Sequence, residues 1–239
     1  MLAVFSFSGA LHIRLGAVLS ALLVVLCVLG LTIHKEFYAG KPRRDYFFFY
    51  TNLSNLLVLV YFALIAPRLY AASALRPLIP HADFAVMMCI LLTGAVFHLL
   101  LFPAVRGAAA RHTRTREFFI VCTDSLIEHY LVPLTTLAFW LFCSPGKDAL
   151  GAADVFLWTL FPLGYATAVY LRAPFRGVIA EAGSPYPYPF MDIQILGVRR
   201  AAFFLSAMYG ACLLAGAFFV AGMRLAYAFL GSGRALILL

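Results

Sequence analysis

Residues 15–33 read LGAVLSALLVVLCVLGLTI. Ser20 and Thr32 are the most polar side chains in the stretch, and none is charged. A helix that crosses the hydrocarbon core of a bilayer needs about 20 mostly apolar residues. The run is long enough to span and has no clear small-residue cleavage site after it. With His12 and Arg14 before it, it reads as a first membrane anchor rather than a cleaved signal.

Five more runs of this kind follow, at 47–66, 84–105, 118–142, 155–171 and 201–225. The tail 226–239 is apolar but broken by Gly231, Ser232 and Gly233, and is too short to cross comfortably. Of the 239 residues, 64% are hydrophobic and 12% charged. A soluble domain has about 45–50% apolar and about 25% charged residues. A soluble chain of this composition would lack the polar groups to cover its surface, whereas lipid-facing side chains need none. The expectation is an all-α polytopic bundle of about six transmembrane helices, forming one integral-membrane domain over residues 1–239.

The formal net charge is +8. Its carriers lie between the apolar runs, where they set topology and meet anionic headgroups, so membrane lipids rather than nucleic acid are the expected partners. Connections one, three and five hold twelve of the eighteen Lys and Arg: Lys35, Lys41, Arg43, Arg44, Arg106, Arg111, Arg114, Arg116, Arg172, Arg176, Arg199 and Arg200. The positive-inside rule places these connections in the cytoplasm. The five cysteines, Cys27, Cys89, Cys122, Cys143 and Cys212, are scattered without CxxC spacing. No metal, cofactor or disulfide framework is expected, and nothing sets an oligomeric state.

Polar groups inside a membrane segment are costly and therefore point to function. Two clusters stand out. On the second run, Thr51, Ser54 and Asn55 share a helix face, and Asn52 reaches Asn55 at i+3. Ser54 and Asn55 also suit hydrogen bonding between helices. On the fourth run, Asp124 and Glu128 are one turn apart, as are Ser125 and His129, and all four fall within an arc of about 140°. Pro133 removes the backbone bond to the carbonyl of His129 and frees that oxygen. His98, in the third run, is a further candidate. The connection between the fifth and sixth runs carries Tyr186, Tyr188, Phe190 and Asp192 and is expected to pack over the mouth of the bundle.

These segments resemble a known family. Residues 49–57, FYTNLSNLL, resemble the aromatic-Thr-x-x-Ser-Asn-Leu-Leu segment of bacterial relatives of the androgen-induced membrane hydrolases. Residues 93–97, TGAVF, resemble their third-span Thr-Gly segment; residues 129–133, HYLVP, their His-x-x-x-Pro segment; and residues 186–192, YPYPFMD, their Tyr-Pro-Tyr-Pro-Phe-Leu-Asp loop. The resemblance implies a bacterial inner-membrane protein with a fold of about six spans. Animal members hydrolyse esters of fatty acids carried on hydroxy fatty acids, with a Thr nucleophile and a His partner. Carried over by motif, Thr51 is the nucleophile and His129 the general base. The animal enzymes lack the Ser-Asn after the Thr and space the His and Pro differently.

The chemistry fits the residue types. A Thr hydroxyl becomes a nucleophile when a base takes its proton, and an imidazole suits that role. Asp124 or Glu128 is expected to orient the imidazole, and the amides of Asn52 and Asn55 to face the oxyanion of a lipid ester under attack. Two other readings use the same residues: a small proton-coupled transporter with Asp124, Glu128 and His129 as its relay, and a membrane acyltransferase with Cys122 as nucleophile.

Overall fold

A computed structural model of the chain describes residues 9–34, 45–102, 123, 125–180 and 182–231. Five helices in it are long and apolar enough to cross a membrane. They are α1 (Gly9–His34), α2 (Tyr50–Ala71), α3 (Ser73–Leu101), α5 (Ala152–Arg176) and α6 (Val198–Gly231). A shorter apolar helix, α4 (Ile127–Cys143), covers most of the described part of the expected fourth span. The protein is an all-α, multi-pass integral-membrane bundle. Its outer faces are what lipid demands: Leu214, Phe218, Phe203 and Val18 are all exposed.

Helix α3 is central. On one side Val86 and Ile90 pack with Leu23 and Cys27 of α1, Val58 and Phe62 of α2, and Val132 and Phe139 of α4. On the other side Phe84, Met87 and Met88 pack with Trp140 of α4, Trp158 of α5, and Cys212 and Val220 of α6. Helix α5 breaks at Trp158–Thr159. Pro162 lacks the N–H that would bond the Trp158 carbonyl, and the Cys89 thiol donates to that oxygen instead, at 3.6 Å.

Two glycines seat α4. A Cβ at Gly94 of α3 would lie 2.8 Å from the main-chain oxygen of His129. A Cβ at Gly30 of α1 would lie 2.8 Å from Cγ of Glu128. Hydrogen at these two positions lets α4 sit directly against the backbones of both neighbours, as small residues do in membrane bundles.

Among the described residues three helices widen into a π turn, at Tyr61–Ile65, Phe97–Leu101 and Ile127–Leu131. In the sequence Pro67, Pro103 and Pro133 each follow two residues after the turn. A proline collides with the carbonyl four residues before it. Closing the preceding turn as i→i+5, as the Val132 N–H does on the Ile127 carbonyl, makes room for that oxygen.

The third span begins earlier than the hydropathy suggests: the α-helix starts at Ile79, not Phe84, and so includes Asp83. Asp83 is buried; its carboxyl accepts from the hydroxyls of Tyr61 at 2.5 Å and Tyr70 at 2.7 Å. Close to it, Lys147 is buried just beyond α4 and donates to the Ser144 carbonyl. The connection between α5 and α6 packs against the start of α2 and the end of α5. Tyr186, Tyr188 and Met191 are buried with Tyr50, Val169 and Ala173, and the Ala180 N–H donates to Asp45 at 2.7 Å.

Candidate active site

Thr51 is the second residue of α2. Phe49, in extended conformation, begins the helix, and the Asn52 amide donates to the Tyr46 carbonyl at 2.7 Å, tying the preceding turn to it. First-turn N–H groups have no partner within a helix and give that end a partial positive charge. The Tyr50 N–H is satisfied by the Tyr188 hydroxyl at 3.0 Å.

His129 lies in the π turn of α4, and its Nε2 is 3.3 Å from Thr51 Oγ1. Its Nδ1 is 3.1 Å from the Ser125 main-chain oxygen. A carbonyl oxygen only accepts, so in the neutral ring Nδ1 carries the proton and Nε2 presents its lone pair to Thr51. Phe97 stacks on the imidazole, with centroids 3.8 Å apart and planes at 21°. An aromatic face so placed stabilises the ring when it becomes a cation. Thr51 and His129 are each 8% exposed, so the pair is largely shielded yet reachable from the cavities beside it.

Several expected members take other places. The Asn52 and Asn55 amides do not face Thr51 Oγ1 as oxyanion donors. Asn52 holds Tyr46, and Asn55 donates to the carbonyls of Thr51 at 2.9 Å and Glu128 at 3.5 Å, which stitches α2 to α4. Ser54 donates to the Thr51 carbonyl at 3.0 Å and meets the Thr93 hydroxyl at 2.6 Å, linking α2 to α3. Glu128, fully buried, extends to Gly30 of α1, and the described partner of His129 Nδ1 is a carbonyl, Ser125, instead of a carboxylate. Asp124 and Cys122 lie outside the described residues. His98 is exposed, bonded to Tyr130 at 2.9 Å and stacked on Phe102. Of the loop residues, Tyr188 and Phe190 reach the site. Tyr186 packs on Tyr170. Asp192 caps the single helical turn Ile193–Leu196 through the N–H groups of Gln194 and Ile195.

Two cavities meet at the pair. One, of about 60 Å³, is lined by Thr51, Tyr50, Thr93, Tyr165, Tyr188 and Phe190 among others. The second is an apolar groove of about 680 Å³ between α3, α4 and α6, which runs from His129 past Gly94 and Pro133 to Ala215 and Phe219. Leu92, Val96 and Met208 line both. Phe97 and Tyr165 are the members that sequence reasoning passed over. Phe97 lies inside the quoted Thr-Gly segment, one residue before the histidine that drew attention; nothing local marks Tyr165. Compared with protein-family models, curated proteins and solved structures, the chain matches none.

Proposed function

We propose that this protein hydrolyses fatty-acyl esters within the membrane, with Thr51 as nucleophile and His129 as general base. The observation that carries the reading is the 3.3 Å contact between Thr51 Oγ1 and the unprotonated Nε2 of His129, a pairing that a nucleophile and its base require. The resemblance of the segments around both residues to membrane hydrolases points the same way.

In the proposed reaction Thr51 Oγ bonds to the ester carbon as its proton passes to His129 Nε2. The tetrahedral intermediate collapses, the leaving alkoxide takes that proton and departs as an alcohol, and an acyl-threonine remains. Water, deprotonated by the same imidazole, then releases the fatty acid. The Ser125 carbonyl holds the ring in the needed tautomer, and Phe97 supports the imidazolium. The 680 Å³ groove is apolar, lies in the range of about 300–1,000 Å³ typical of ligand sites, and suits an acyl chain arriving sideways from lipid.

A proton-relay carrier is less well supported, because the side chains of Glu128 and His129 diverge, one to α1 and the other to α2. The test is hydrolysis of a fatty-acyl ester by purified wild type, Thr51→Ala and His129→Ala in lipid nanodiscs. Both variants are expected to lose at least about 10³-fold in kcat/KM. Activity retained in both refutes the mechanism.

A further inference from the structure

We propose that Tyr188 is the oxyanion donor of this site: its phenolic O–H holds the carbonyl oxygen of the ester as that oxygen becomes negative. The inference rests on the hydrolase reading above and assigns a task that the Asn52 and Asn55 amides, committed to main-chain carbonyls, do not fill.

Donor and acceptor bookkeeping leads to it. The Tyr188 oxygen accepts the Tyr50 N–H at 3.0 Å. Its own proton remains to be given away. Beside it lie the hydroxyl and amide of Thr51 and the hydroxyl of Tyr165. Tyr165 spends its proton on the Phe48 carbonyl at 2.9 Å, so its oxygen offers only an acceptor. The Thr51 proton faces His129 Nε2, so the Thr51 oxygen is likewise an acceptor. Tyr188 is therefore the hydroxyl next to the nucleophile that still has a proton to give, and an ester oxygen bound beside Thr51 competes with the Thr51 and Tyr165 oxygens to accept it.

Position supports the role. Tyr188 and Thr51 line the same small cavity, where a carbonyl bound for attack must sit. The phenol is fixed by an edge contact with Phe49 at 5.9 Å and a parallel stack on Phe190 at 5.2 Å, so it is oriented before substrate arrives. Burial pushes its acidity down, so the donor stays protonated at neutral pH. The Tyr50 N–H, at the positive end of α2, polarises it further.

The step balances. As Thr51 Oγ bonds to the carbonyl carbon, the π electrons of the C=O move onto oxygen and the Thr51 proton moves to His129 Nε2. Tyr188 donates a hydrogen bond to the new oxyanion and keeps its proton. Collapse restores the C=O, and the bond to Tyr188 weakens as the alcohol leaves.

The experiment measures kcat and KM for a p-nitrophenyl fatty-acyl ester with wild type, Thr51→Ala, Tyr188→Phe, and protein carrying ring-fluorinated tyrosines at position 188. Tyr188→Phe is expected to lower kcat about 10²- to 10³-fold with KM within about threefold, the loss typical of one oxyanion donor. The fluorinated series keeps the hydroxyl and the packing, and kcat is expected to change steadily with phenol acidity. If Tyr188→Phe fails to fold, that series decides. A kcat independent of phenol acidity, or Tyr188→Phe within threefold of wild type while Thr51→Ala is dead, overturns the assignment and leaves the hydrolase standing. Equal turnover by wild type and Thr51→Ala overturns both.

Discussion

Adding one methyl group at Gly94, three helical turns from any charged residue of its own helix's start, tests how the bundle sets up the Thr51–His129 pair. The new Cβ of Gly94→Ala would lie 2.8 Å from the His129 main-chain oxygen, where ordinary contact begins at 3.4 Å, so about 0.6 Å of separation must be found. The Pro133 ring stands 3.5 Å from the same point and blocks escape along α4. The movement therefore falls on α4 as a body. The Thr51–His129 contact is already 3.3 Å, and opening it by half an ångström takes it beyond hydrogen-bond reach. Misplacement by about 1 Å costs on the order of 10²-fold in rate, so a loss of about 10- to 100-fold in kcat is expected. Overpacking costs about 1–3 kcal/mol, against which alanine returns up to about 1 kcal/mol of helix propensity. The net drop in thermal stability should thus be small beside the loss of activity. The assay pairs ester turnover with a melting curve in the same detergent. Gly210→Ala and Gly222→Ala, in α6 with nothing within 4 Å, are the controls. Gly94→Ala with kcat within twofold of these controls would refute the argument that Gly94 sets the site.

Two further outcomes follow from the same geometry. Burial pushes the Lys147 ammonium down to about 8 from its ordinary 10.5. Between those values folding leaves this group without a proton that the unfolded chain still holds, so its contribution to stability rises with pH there. The melting-temperature difference between wild type and Lys147→Met should accordingly shift in favour of wild type from pH 8 to 10.5, and a flat difference would contradict it. His98→Ala removes an exposed contact with Tyr130; turnover is expected to stay within about twofold, with under about 1.5 kcal/mol of stability lost, and a tenfold loss of turnover would return His98 to the site.

The helices were legible because a bilayer demands length and apolarity, which residues 15–33 or 201–225 display without reference to anything else in the chain. Asp83 was not legible as an intramembrane carboxylate. Its cost is offset by two hydroxyls on another helix, Tyr61 and Tyr70, and no local pattern announces a tertiary partner. The same limit explains the amides. Sequence shows that Asn52 and Asn55 carry donors but not that the carbonyls of Tyr46, Thr51 and Glu128 claim them. Thr51 and His129 stood out because Thr and His in apolar runs are conspicuous and their flanking segments resemble known ones. Ser125 was expected to contribute its side chain, whereas its main-chain oxygen holds the imidazole.

The π turns have a consequence for how this site arose and how it is kept. A turn closed five residues back contains one residue more than an α turn, so everything before it is rotated by about 100° relative to everything after it. In α4 that phase slip lets Val132, Thr136 and Phe139 follow one inward line while His129, within the slip itself, still reaches Thr51. Phe97, which opens the π turn of α3, stacks on His129 inside the π turn of α4. Two helices thus slip phase at the level where they touch. A single-residue deletion at Tyr130 or Leu131 would restore an unbroken α-helix and turn the imidazole toward the wrong neighbour, making the site sensitive to the length of the chain as well as to its chemistry.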